Sequence, residues 1–346
     1  MSKKSASAKM KVIKILLGIF ITLLIIILAA GSTVFLYVNN KIGKMNNVKL
    51  NKEELGISEN ENLDKYRNIA IFGVDSRNDD YGKGNRSDCI IIASINNETH
   101  EVKLISVYRD TYVQIEGHGL DKITHAYSYG EAPLALKTLN ENFDLNITDF
   151  VTVNFDAVAD VVDALGGIKM EITDAEAYHI NGYIDETSRV TGKKSKHITK
   201  AGTYTLDGVQ AVAYSRIRYT SGGDYKRAER MRDVITAMIA KIKTKNVSEI
   251  NKIADRILPK VYTNLNLTDL LSMLPALASF NVGESVGWPY ETKGATIGGI
   301  WYGIPVTLET NVEKLHKDAF SDTDYEVPEK IKNISNKIIN KTGYSK

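Results

Sequence analysis

The chain has 346 residues, 43% hydrophobic and 25% charged, which is the balance of a folded globular protein long enough for one large domain or two ordinary ones. A formal net charge of +2 argues against general nucleic-acid binding, which needs a basic excess. The single cysteine, Cys89, excludes an internal disulfide and a cysteine-based zinc cluster, and its apolar surroundings in "DCIIIASI" suggest a buried, inert thiol.

The N-terminus sets the expected location. Lys3, Lys4, Lys9, Lys11 and Lys14 precede an apolar run at 15–38 that contains no charge. About 20 apolar residues cross a bilayer as a helix, and a cleaved signal peptide has a shorter core. The run is expected to be an uncleaved signal anchor. By the positive-inside rule, 1–14 is a cytoplasmic basic tail and the remainder faces the exterior of a single-pass membrane protein. Residues 39–65 read as an extracellular stalk, 66–325 as the working domain, and 326–346 as a weakly docked helix or frayed tail.

Within the domain, "RNIAIFGVD", "DCIIIASIN" and "VKLISVYRD" read as strands, the last two paired as a hairpin across "NNETHE". "APLALKTLNENF" has helical spacing. "DFVTVNFD" is a strand, "AVADVVDALGG" a helix closed by glycines, and "IKMEI" a strand. Residues 175–200 look irregular, "LDGVQAVAYSR" helical, and 224–243 an amphipathic helix. Two more helical patterns fill 247–280. The order predicts an α/β layered domain, with a central mixed β-sheet flanked by helices, preceded by one transmembrane helix.

Charged residues collect at the strand ends. Asp75 follows the first strand, Asp88 opens the second, and Arg109 and Asp110 close the third. Ligands of open α/β sheets bind beyond the carboxyl ends of strands, and Asp88 joins them only if its strand runs antiparallel. Two carboxylates together suggest a hard divalent cation, Mg2+ or Mn2+, which also takes water and phosphate oxygens; a pair of turn aspartates is the alternative.

The chain has eleven arginines among 44 basic residues, and five of them stand in "AVAYSRIRYTSGGDYKRAERMRD". If "SRIRY" is extended, Arg216 and Arg218 share one face. Asp224, Arg227 and Met231 share a helix face, with Arg230 beside it. Guanidinium forks bind phosphate oxygens in bidentate fashion, so the segment reads as a clamp for a phosphate-type polyanion, with Arg232 left on a solvated face. Neither a P-loop nor a dinucleotide fingerprint is present. A lipid phosphate is therefore the expected ligand. The apolar segments 131–143, 156–165 and 268–280 read first as core and second as the lining of a lipid groove.

These stretches, with "RSDCIIIASIN", "ISVYRDTYV" and "KITHAYSYG" in the same order, resemble the LytR–CpsA–Psr family of Gram-positive cell-envelope proteins over about residues 66–245. The resemblance implies a phosphotransferase. Its donor would be a glycopolymer, of wall teichoic acid or capsular type, on polyprenyl diphosphate, and its acceptor a peptidoglycan hydroxyl. Asp75 and Asp88 would hold the metal. Arg77, Arg86, Arg109, Lys122, Arg216, Arg218, Arg227 and Arg230 would bind the diphosphate, with Arg109, Asp224 and Arg227 catalytic. Asp224 or Asp110 would serve as general base, and the prenyl chain would lie in an apolar tunnel. Two positions depart from the family pattern: Met231 where a glutamine is common, and Tyr108 where a proline is common. A non-catalytic prenyl-phosphate-binding regulator and a diphosphate hydrolase are the alternatives.

Overall fold

The computed structural model describes residues 46–76, 81–265 and 279–345. The expected span at 15–38, Arg77 and residues 268–278 of the third apolar segment lie outside the described residues. No described helix is long and apolar enough to cross a membrane.

Alternating apolar side chains in the opening strands require a sheet covered on both faces. After the two-residue strand β1 (Asn46–Asn47), two 3-10 turns bury Leu55 and Leu63, so much of the expected stalk packs on the domain. In β2 (Tyr66–Val74), Ala70, Phe72 and Val74 enter one core cluster and Ile69 the other. In β3 (Ser87–Asn96), Ile90 and Ile92 join the first, while Ile91, Ala93 and Ile95 join the second. In β4 (Glu101–Val107), Ile105 and Val107 oppose Val102 and Leu104 in the same way. Successive strand side chains point to opposite faces, so period two here means two covering layers.

The expected hairpin forms, with Ile91 opposite Ser106 in an antiparallel pair. β2 and β3 are also antiparallel, with an irregularity where Gly73 faces Cys89 but Val74 faces Ser87. Such a bulge re-aims the residues beside it. It falls at Asp88, at the sheet end where β2 and β4 finish.

A small hairpin, β5 (Tyr112–Ile115) and β6 (Gly119–Lys122), leads into α1 (Ile123–Phe143). This helix kinks at Gly130 and Glu131, just before Pro133, whose missing N–H cannot continue the ladder. β7 (Asp149–Asn154) returns parallel to β2, and α2 (Phe155–Leu165) ends at Gly166 as expected. β8 (Ile168–Ile172) pairs with β9 (Gly202–Leu206) in a separate ribbon. Residues 175–200 are not wholly irregular, because α3 (Asp174–Thr191) forms there behind a Thr173–Glu176 capping box.

α4 (Gly208–Arg216), α5 (Gly223–Ile242) and α6 (Val247–Ile257) follow. α5 covers the second face of the sheet through Met231 and Ile235. β10 (Tyr262–Thr263) and the in-line strands β11 (Asn281–Val282) and β12 (Val286–Trp288) complete the central sheet. Among the described residues its order is β1-β10-β7-β2-β3-β4, with β11 and β12 both on β4. The hairpin of β13 (Thr292–Ile297) and β14 (Ile300–Pro305) precedes α7 (Leu308–Phe320). α8 (Glu329–Thr342) is no frayed tail, since Ile331, Ile334 and Ile338 are buried in the main core.

Candidate functional site

The end of β4 passes into a tight turn. The Thr111 N–H donates to the Tyr108 carbonyl at 3.0 Å, and its hydroxyl to the same oxygen at 2.6 Å. The N–H groups of Ile123 and Thr124 donate to the carbonyls of Thr111 and Arg109, pinning the turn to the start of α1. Arg109 is thus held between two elements. Its Nη1 donates to Asp88 Oδ1 at 2.7 Å, and its Nε lies 3.4 Å from Asp110 Oδ2. Lys122 Nζ meets the other Asp110 oxygen at 2.8 Å. Burial works against the charge on Arg109, but Asp88, Asp110 and Asp224 outweigh it and raise its pKa. The guanidinium stays cationic.

The second half of the site is the start of α5. Gly222 and Gly223 have φ of 92° and 50°, left-handed values that glycine adopts without a Cβ clash. No side chain caps this helix start. Asp224 sits in the first turn, 3.3 Å from Arg218 Nε and 3.3 Å from Arg227 Nη1. Arg227 Nη2 reaches the Asp88 carbonyl at 3.3 Å, so this one side chain ties α5 to β3. Arg227 is only 6% exposed, and its Nε is buried without a hydrogen-bond partner. A buried guanidinium N–H left unbonded is costly, and an anion oxygen would satisfy it.

Between the two halves lies a cavity of about 250 Å3. Asp88, Arg109, Asp110, Asp224 and Arg227 contribute its polar wall, and Ile91, Val107, Ala228 and Met231 its apolar wall. The apolar wall therefore comes from β3, β4 and α5. The segments 131–143 and 156–165 supply core side chains instead, among them Leu136, Leu139 and Val162. Tyr108 packs edge-on against Tyr225 at 4.5 Å between ring centroids, beside the cavity.

Other expected site residues stand elsewhere. "SRIRY" is not extended: Arg216 is the last residue of α4, and Arg218 lies in the loop beyond it. The two therefore do not share a strand face. Arg216 pairs with Glu186 at 2.9 Å and lies over the Phe155 ring, outside the cavity lining. Arg230 is buried and spends its donors on Glu176, the Ile217 carbonyl and Thr220. Arg232 is not on a solvated face, since its Nη1 is buried. Arg86 is exposed in the loop before β3, and Asp75 is exposed just past β2. Cys89 lines the cavity, and burial together with the neighbouring Asp88 pushes its thiol up to about 12.

Sequence reasoning attached no chemistry to 281–346, yet Pro289, Thr292, Trp301 and Gly303 line the cavity. The one available signal is a tryptophan set in a glycine-rich stretch, "KGATIGGIWYG".

A cation here would rest on few protein ligands. No group of three or more His, Cys, Asp and Glu suited to a metal occurs among the described residues. Asp75 and Asp88 stand at one end of the sheet, Asp88 Oδ1 already engaged by Arg109, and Mg2+ in other sites takes as few as one or two carboxylates with water and substrate phosphate.

Comparison with known proteins is consistent along the chain. The model of the LytR_cpsA_psr family matches residues 32–318. The polyisoprenyl-teichoic acid–peptidoglycan teichoic acid transferase TagT of Bacillus subtilis is 31% identical over 301 residues, 84% of this chain and 90% of that protein. The transferase TagU of the same organism is 35% identical over 240 residues, 68% of this chain and 71% of that protein. A structure of the LytR-CPS2A-psr family protein YwtF (TagT) with bound octaprenyl pyrophosphate lipid superposes with a TM-score of 0.52 at 25% identity, covering 83% of this chain and 94% of that one. With the family match spanning most of its length, this chain belongs to the LytR_cpsA_psr family.

Proposed function

We propose that the protein transfers a glycopolymer from polyprenyl diphosphate to a hydroxyl of peptidoglycan, with the working domain outside the membrane and the N-terminal segment as its anchor. The observation that carries this reading is that Arg109 and Arg227 line one apolar-backed cavity, with Lys122 and Arg218 paired to its Asp110 and Asp224 and with one buried guanidinium N–H lacking a partner. The names of the relatives and the lipid held by one of them support it.

The roles follow from charge. The cavity is smaller than the ~300–1,000 Å3 of pockets that enclose drug-sized ligands, so it suits a diphosphate and the start of its prenyl chain. Arg227 Nε and the Arg109 fork bind and orient the two phosphates. The uncapped N–H groups at the start of α5 add donors that favour an anion. The acceptor oxygen attacks the phosphorus that bears the glycopolymer. That phosphorus loses its bond to the bridging oxygen, and polyprenyl phosphate departs. The hydroxyl proton passes to a carboxylate, which we assign to Asp224. Both Asp110 oxygens are already engaged by Lys122 and Arg109, whereas Asp224 uses Oδ1 for its two arginines. Such transfers need positioning and charge neutralisation more than covalent help. The four cations already face Asp88, Asp110 and Asp224, so a bound diphosphate would leave negative charge in excess. Mg2+ on Asp75 and Asp88 would offset that excess and polarise the phosphoryl oxygens.

The test is an incubation of the full-length protein in detergent with a sugar-bearing polyprenyl diphosphate, Mg2+ and peptidoglycan. Release of polyprenyl phosphate with covalent attachment of the sugar supports transfer. Retention of the lipid without turnover would point to a binding protein, and release without attachment to a hydrolase.

A further inference from the structure

The β13–β14 hairpin carries an aromatic side chain that the phosphate site does not use. Gly294 and Gly303 are paired partners, so a strip of this hairpin face is bare backbone. Trp301 lies across the strip. A Cβ built on Gly294 would sit 2.9 Å from Trp301 Nε1 and 3.2 Å from Cζ2, and one on Gly303 would sit 3.8 Å from Cη2. The indole therefore rests on Gly294, where any Cβ would collide with it, and lies within ordinary contact range of Gly303. Trp301 is nevertheless 47% exposed, whereas the chain's other tryptophan, Trp288, is fully buried. A large aromatic face backed by its support and left partly in water on a cavity wall can stack against a flat apolar face.

Its position says what. The hairpin is fastened to the phosphate site, since the Gly303 N–H donates to the Asp110 carbonyl at 2.9 Å and Thr111 bridges Gly303. Asp110 is the neighbour of Arg109, and Trp301 lines the same cavity as Arg109 and Asp224. The group bonded directly to a diphosphate held by Arg109 thus shares the cavity whose wall includes the indole. In a glycolipid donor that group is a pyranose, whose C–H face is apolar and flat.

We propose that Trp301 is the stacking platform for the first sugar of the lipid-linked donor, and so a specificity-determining residue that separates sugar-bearing diphosphates from bare ones. The proposal rests on the diphosphate reading of the cavity given above. The acceptor glycan is the competing occupant. The donor is preferred because the platform is anchored to the phosphate-binding turn itself.

The experiment compares two probes on the full-length protein in detergent: farnesyl diphosphate, and farnesyl diphosphate carrying one N-acetylglucosamine. Loss of an aromatic contact of this kind weakens binding by about tenfold. Trp301→Ala should weaken the sugar-bearing probe by that factor and leave bare farnesyl diphosphate unchanged. Trp301→Phe should recover part of the loss. Gly294→Val keeps the tryptophan but forces it off its support, and should mimic Trp301→Ala. The sugar-bearing probe should also shift the wild-type tryptophan emission to the blue, with no such shift in Trp301→Phe. Equal weakening of both probes, or of neither, overturns the platform, as does a raised KM for peptidoglycan alone. If wild-type protein binds neither probe, the diphosphate reading itself fails and the platform with it.

Discussion

Replacing Arg230 by methionine should unfold the protein at lower temperature without abolishing its affinity for a polyprenyl diphosphate. The Arg230 and Glu176 side chains are 2% and 6% exposed, and Nε to Oε1 is 2.8 Å. The remaining guanidinium nitrogens hold the Ile217 carbonyl at 3.1 Å and the Thr220 hydroxyl at 2.7 Å, fixing the loop from which Arg218 projects. Removing one partner of a buried pair strands the other charge, at a cost of about 3–5 kcal/mol. At roughly 2–4 °C per kcal/mol for a domain of this size, Tm should fall by on the order of 10 °C. Adding Glu176→Gln to Arg230→Met should restore part of that loss, because no lone charge is then buried. The pH dependence has a definite sign. Burial pushes the Glu176 carboxyl up, but the Thr173 N–H and the Arg230 guanidinium outweigh it and hold the group below its ordinary value of 4.5. Its contribution is therefore present above that value and lost as pH falls through the lower folded pKa. The gap between wild type and Arg230→Met should narrow in that acid range. Scanning calorimetry from pH 7 downward, alongside ligand titration, measures all of this. An unchanged Tm with lost diphosphate binding would refute the reasoning and return Arg230 to the ligand.

Arg109→Ala should lower the rate of polymer transfer by roughly 10²-fold or more, since it removes a donor aimed at the reacting phosphate. Arg109→Lys should recover little, because an ammonium lacks the planar fork, and full activity in either variant would contradict the assignment. Asp75→Asn should raise the Mg2+ concentration needed for half-maximal turnover while leaving Tm unchanged; an unaltered metal requirement would remove Asp75 from the metal site. Cys89 should label slowly with maleimide at pH 8, because its thiol is pushed up to about 12 and little thiolate forms. Labelling as fast as a free thiol in solution would contradict that environment.

The sheet was legible because its strands alternate β-branched residues with period two, and the "NNETHE" turn announced the β3–β4 hairpin. That hairpin in turn predicted the antiparallel run of β3 that brings Asp88 to Arg109. α3 was missed because its buried stripe is sparse: Ala177, Ile180, Ile184 and Thr187 stand among polar residues. Its start was nonetheless written in "TDAE", a capping box whose Glu176 also serves Arg230. The arginines show a limit of composition. Of the five clustered arginines only Arg227 lines the candidate cavity, because which guanidinium is left for a ligand depends on which carboxylates tertiary folding brings near. Glu176 claims Arg230 and Glu186 claims Arg216, and neither partner is close in sequence. The glycine-rich setting of Trp301 gave it no place for a similar reason, since its nearness to the cavity depends on a bridge from Gly303 to a turn nearly two hundred residues earlier.

The proposed transfer requires Arg109 and Arg227 to grip one diphosphate. Calorimetric titration of the full-length protein in detergent with a polyprenyl diphosphate and Mg2+ tests this directly, using Arg109→Ala, Arg227→Ala and, as a control, Arg67→Ala, whose partner is Asp149. A charge-assisted hydrogen bond is worth about 1.5–3 kcal/mol, so each of the first two should weaken binding by roughly 10–100-fold, and the control should match wild type. Wild-type affinity in both Arg109→Ala and Arg227→Ala would contradict the account.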